Sequence, residues 1–83
     1  MKYDHAVLKC FLEKQLQLFP EEVAETEAEA DEFLEECCAV VARGKKEVIE
    51  YFEDVGLDFD RKTILEEAEV FAVGDGRFLI VEG

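Results

Sequence analysis

The apolar pattern near the N-terminus predicts an amphipathic helix. Asp4 is a favourable N-cap residue, and Pro20 disfavours helical backbone at the residue before it, Phe19. Between them, apolar side chains recur on one broad helical face and polar side chains on the other. The apolar face contains Val7, Leu8, Phe11, Leu12, Leu16, Leu18 and Phe19. We therefore expect a first helix that runs from the Asp4 cap to about Phe19.

A second stripe of apolar residues predicts a longer helix. Thr26 and Glu29 have the spacing of a capping box at its start. The stripe then keeps an alternating spacing of four and three residues through Ala30, Leu34, Cys37, Val41, Gly44, Val48, Tyr51 and Val55. Because its phase survives across Gly44, we favour one continuous helix over 27–55, closed by Gly56. The alternative is a break at Gly44 with a new helix that begins at Lys45.

The apolar period changes to two near the C-terminus, which predicts a β-hairpin. Residues 69–73 and 77–82 flank Asp75-Gly76, a dipeptide typical of tight two-residue turns. Both faces of this hairpin are apolar, and we expect the helices of so short a chain to cover one of them. One face holds Phe71, Val73, Phe78 and Ile80, and the other holds Val70, Ala72, Leu79 and Val81. The second set is the candidate interaction surface.

Together these elements predict an α+β fold that is mainly helical. It contains two antiparallel helices, a short helical segment within 63–68 and the C-terminal hairpin. We expect residues 1–83 to form a single small acidic domain.

Charge narrows the choice of partners. The chain has 22 acidic and 9 basic residues, a net charge of -13, and residues 21–36 hold nine carboxylates without a Lys or Arg. Such a surface repels nucleic acid and anionic membranes, so neither is expected as a partner. No apolar run could span a bilayer, and the first residues do not resemble a secretion signal, so a cytoplasmic protein is expected.

The residues that could carry chemistry do not form a recognisable pattern. Cys37 lies in the apolar stripe, with Cys38 at its edge, and Cys10 is on the polar face of the first helix. We expect Cys37 to be buried and Cys10 to be the most reactive thiol. His5 is the only histidine and the chain has no Ser. We predict no catalytic residues, no metal ligands and no cofactor.

Three functional hypotheses remain. The leading one is a protein–protein interaction module or accessory subunit without catalytic activity, which binds a protein partner or forms a weak homodimer. One alternative is an acidic nucleic-acid mimic that binds a basic protein, since rows of carboxylates can imitate rows of phosphates. The other is a metal-responsive or redox protein that uses its thiols.

Overall fold

The computed structural model describes residues 2–82 and has a mainly helical α+β architecture, as the sequence predicts. Local capping signals account for the helix boundaries that were expected. Asp4 caps the first helix, Thr26 and Glu29 form the capping box of the second, and Gly56 ends the third with φ of 75°. The elements in chain order are α1 (His5–Lys14), a 3-10 turn (Gln15–Gln17), α2 (Glu27–Glu36), β1 (Val40–Arg43), α3 (Gly44–Val55), a second 3-10 turn (Ile64–Glu66), β2 (Val70–Ala72) and β3 (Arg77–Ile80).

The expected continuous helix over 27–55 is wrong, because a strand divides it. β1 pairs antiparallel with β3, and α3 starts directly after it at Gly44, whose φ is 77°. The sequence Val40-Val41 suits a pleated strand, and pairing with β3 outweighs the helical spacing of the apolar stripe. The alternative with a break at Gly44 is therefore closer to the structure, although it did not include a strand.

The junction between α2 and β1 is a Schellman motif. The Ala39 N–H donates to the Leu34 carbonyl at 3.0 Å, and the Cys38 N–H donates to the Glu35 carbonyl at 3.1 Å. Cys38 takes the left-handed position of this motif with φ of 57°, a conformation that normally favours glycine. The chain thereby reverses out of α2 and enters the sheet.

The hairpin forms where it was expected, but its register differs by one residue. Gly74-Asp75-Gly76 makes a three-residue loop in which both glycines have positive φ, and the Val73 N–H donates to the Arg77 carbonyl at 3.0 Å. Adding Gly74 to the loop pairs Val70 with Ile80 and Ala72 with Phe78. Each face of the observed hairpin therefore contains residues from both of the predicted sets.

The sheet has the order β1-β3-β2 and is covered on both faces by the protein's own elements. On one face, Phe71 and Leu79 pack into a core with α1 and α2 that includes Phe11 and Leu34. On the other face, Val70 and Ile80 pack with α3 and the second 3-10 turn through Val48, Phe52 and Ile64. The expectation of one uncovered hairpin face is wrong, because β1 lies between α2 and α3 and the two helices are on opposite sides of the sheet.

α1 is shorter than expected. The helix ends at Lys14, and the following 3-10 turn directs Gln15 inward and Leu16 outward. Residues at the start of the chain contact both ends of α2. The His5 ring contacts Glu27, and the Tyr3 hydroxyl donates to the Leu34 carbonyl at 3.1 Å. The start of α1 and the residue Tyr3 before it are therefore fixed against α2.

Candidate functional site

The candidate hairpin residues do not form a surface. Val70, Leu79 and Val81 are buried, and only Ala72 is exposed. Val70 packs with α3, whereas Leu79 and Val81 pack with α1 and α2 on the opposite face. The structure therefore does not bring these four side chains together.

The outer edge of β2 is closed by side chains from α1 and the turn after it. The Gln17 amide donates to the Val70 carbonyl and to the Ala68 carbonyl, both at 2.9 Å. The Lys14 ammonium donates to the Ala72 carbonyl at 2.8 Å. Unpaired edge groups are what an added strand would need, so these contacts oppose strand addition at β2.

The outer edge of β1 is closed in a similar way. The Tyr3 hydroxyl donates to the Ala39 carbonyl at 2.7 Å, and the Arg43 N–H donates to the Glu47 carboxylate at 2.9 Å. These contacts cover the backbone on both sides of Val41. Neither edge of the sheet therefore offers a continuous row of free backbone groups.

The thiols are arranged opposite to expectation. Cys10 is buried, and its thiol donates to the Ala72 carbonyl at 3.3 Å, whereas Cys37 is half-buried and Cys38 is exposed. The prediction of an exposed Cys10 is wrong because the supposed polar face of α1 covers the β2 edge. Burial raises the pKa of the Cys10 thiol, and burial followed by the charge of Glu36 raises the pKa of the Cys37 thiol. Both thiols are thus held in the protonated, weakly nucleophilic form at neutral pH.

His5 has a structural partner. Its Nδ1 lies 2.7 Å from one carboxylate oxygen of Glu27, and the ring is largely exposed. Within residues 2–82, no three His, Cys, Asp or Glu side chains are grouped so that they could hold a metal ion. The histidine links the first turns of α1 and α2.

Several of the carboxylates have identifiable structural roles. They cap helices, bond to backbone N–H groups or pair with cations, as in the contacts of Glu29 with the Thr26 N–H at 3.2 Å and of Asp31 with the Tyr3 N–H at 2.8 Å. Arg77 joins the α1 cap to the hairpin loop by binding Asp4 and Asp75. Its hydrogen bonds hold the pKa of both carboxyls below the usual range.

A second group of carboxylates in the segment 21–36 has no such role. Its members are exposed, and among residues 2–82 their side chains form neither an ion pair nor a hydrogen bond. We call this group the acidic face, and it consists of Glu21, Glu22, Glu25, Glu32, Glu35 and Glu36. Three of its members precede α2 and three lie on the outer side of α2.

The acidic face is held on a fixed support. The buried Gln15 side chain binds the loop before α2 by accepting from the Val23 N–H at 2.7 Å and donating to the Ala24 carbonyl at 3.0 Å. Below α2, the ring of Phe33 stacks on Phe11 with 5.7 Å between centroids. The charge is therefore presented without the cost of ordering a flexible segment.

Comparison of the chain with protein-family models, with curated proteins and with solved structures finds no match. No helix within residues 2–82 is long and apolar enough to cross a membrane.

Proposed function

We propose that this protein is a non-catalytic interaction module whose acidic face docks on a basic surface of a protein partner. The observation that carries the proposal is that six exposed carboxylates within 21–36 have no ion pair with any cation among residues 2–82. Their mutual repulsion is a cost to the isolated fold, and a basic partner removes that cost.

The charge distribution favours recognition of such a partner over self-association. A net charge of -13 makes two copies repel each other at long range. The same field accelerates encounter with a basic protein and makes the association sensitive to salt, since the Debye length is about 8 Å at physiological ionic strength. A protein partner is therefore preferred to a weak homodimer.

The first test is capture from native lysate by immobilised protein, with two variants that change charge equally. In one variant the acidic face is converted to glutamine at all six positions. In the matched control, six acidic residues outside the face are converted to the corresponding amides: Glu50, Glu53, Asp54, Asp58, Glu66 and Glu67. Either set of changes moves the net charge from -13 to -7, because six negative charges are removed.

The proposal predicts a protein that the native chain and the control retain, that the acidic-face variant loses, and that raised salt elutes. If both variants lose the captured protein equally, net charge alone explains the binding, and a specific role of the acidic face is refuted. If duplex DNA displaces the captured protein, the partner surface is a nucleic-acid site and the acidic-mimic form of the proposal is favoured. If DNA does not displace it, an ordinary protein–protein contact is favoured.

A further inference from the structure

The hydrogen bonds of the hairpin show which backbone groups of β2 point away from the sheet. The Val73 N–H donates to the Arg77 carbonyl at 3.0 Å, and the Glu69 carbonyl accepts from the Val81 N–H at 2.9 Å. Because backbone groups alternate in direction along a strand, the residues between these two bond towards β3 or outward in turn. The outward residues, whose backbone groups an added strand would bind, are Ala68, Val70 and Ala72.

All three outward carbonyls are bound by one stripe of side chains from α1 and the 3-10 turn after it. The Cys10 thiol and the Lys14 ammonium both donate to the Ala72 carbonyl, at 3.3 and 2.8 Å. The Gln17 amide donates to the other two outward carbonyls, at 2.9 Å each. We call Cys10, Lys14 and Gln17 the edge guard.

The edge guard matches the strand in length. Positions 10, 14 and 17 lie on one side of the helical segment and span about 12 Å, at 1.5 Å per residue in α1 and 2.0 Å in the 3-10 turn. The outward carbonyls from 68 to 72 span about 13 Å at ~3.3 Å per residue. The guard therefore binds the acceptors of the edge in the way that a neighbouring strand would.

The edge guard lies in open grooves and not beneath a packed layer. Two cavities of about 380 and 240 Å³ are both lined by Lys14 and Ala72. Gln17 also lines the larger cavity, and Cys10 lines the smaller one. Ala72 is exposed, and within residues 2–82 its outward N–H has no hydrogen-bond partner. Removal of the guard side chains would thus leave an accessible strand edge.

We infer that the edge guard is a built-in block against pairing of β2 with β2 of a second copy of this chain. Antiparallel pairing about a two-fold axis at Phe71 sets Val70 of one copy opposite Ala72 of the other. The Val70 carbonyl, once released by Gln17, can then accept from the free Ala72 N–H of the second copy, and symmetry doubles this contact. Lys14 adds charge repulsion between copies at this edge. The block is independent of the acidic face.

The test removes the edge guard and measures the oligomeric state. The guard variant is Lys14→Ala with Gln17→Ala. The matched control is Lys9→Ala with Leu16→Ala, two exposed residues of the same segment that form no hydrogen bond with β2. Each pair moves the net charge from -13 to -14, because one positive charge is removed. Sedimentation velocity is run over a concentration series in about 1 M salt, where a Debye length of about 3 Å screens the repulsion between copies.

The native protein and the control should remain monomers, and the guard variant should approach twice the monomer mass as its concentration rises. Adding Ala72→Pro to the guard variant should restore the monomer, because the lost N–H points outward and is not used within the sheet. A guard variant that is monomeric at every concentration, or a control that associates equally, would overturn the inference. A dimer that survives Ala72→Pro would overturn it as well. If circular dichroism shows the alanine pair to be unfolded, Lys14→Met with Gln17→Met keeps the aliphatic stems and is judged by the same criteria.

Discussion

Gln15 supports both the core and the acidic face, so its replacement tests how the site is held. Its amide accepts from the N–H groups of Val23 and Ala24 at 2.7 and 3.2 Å, and donates to the carbonyls of Leu12 and Ala24 at 3.1 and 3.0 Å. Ala24 is 3% exposed, so water does not readily replace these contacts. In Gln15→Leu, the N–H and carbonyl of Ala24 lose their side-chain partner inside the protein.

The expected loss of unfolding free energy follows from those buried backbone groups. An unsatisfied buried backbone group costs about 1–3 kcal/mol, and two such groups, partly relaxed, give an expected loss of about 2–4 kcal/mol. A domain of this size has a total stability of about 4–12 kcal/mol at ~0.05–0.15 kcal/mol per residue. The variant should therefore lose a large part of its stability, with Tm lower by about 10–25 °C.

The assay is urea unfolding followed by far-UV circular dichroism, with Gln17→Leu as the control. Gln17 also donates two hydrogen bonds to backbone carbonyls, but its side chain is exposed, so its loss should cost less than about 1 kcal/mol. Equal effects of the two variants, or a loss below about 1 kcal/mol for Gln15→Leu, would refute the reasoning.

Two further predictions concern the ends of elements. Cys38→Gly should raise the unfolding free energy by about 1 kcal/mol, because Cys38 has a φ of 57° at the end of α2 and glycine adopts this conformation without steric cost; an unchanged or lower urea midpoint would contradict this. Arg77 lowers the pKa of Asp4 and Asp75, so its stabilisation is complete above their unfolded-state pKa of about 4 and is lost as pH falls through the lower folded values. Arg77→Leu should therefore reduce stability at neutral pH and leave it nearly unchanged in strong acid, and an equal deficit at both pH values would contradict the role of the pair.

Local signals predicted the parts of the fold that local contacts determine. The Asp4 cap, the box of Thr26 with Glu29 and the Gly56 terminus all bond within a few residues, and all are confirmed. β1 was missed because its stability depends on pairing with β3, far along the chain. Its apolar residues also fitted a helical stripe, and periodicity does not separate a short apolar strand from a buried helix segment.

The site was predicted only in part. The concentration of carboxylates in 21–36 was evident from composition, but the division between structural and unpaired members required contacts such as that of Asp31 with Tyr3. The sequence contained a signal for the buried position of Gln15, because this residue follows Val7 and Phe11 at intervals of four on the apolar side of α1. A polar residue in that position often satisfies buried backbone groups. The outward turn of Leu16 depends on α1 ending at Lys14, which neither Pro20 nor the apolar spacing indicated.

The most direct test of the acidic face is the position of a partner's footprint. Amide hydrogen exchange of the protein, alone and in complex with the captured partner, should show added protection in 21–25 and 32–36. Exchange along α3 and at the β2 edge should be unchanged. Protection confined to α3 or to the β2 edge, with the acidic face exchanging as in the free protein, would contradict the proposal.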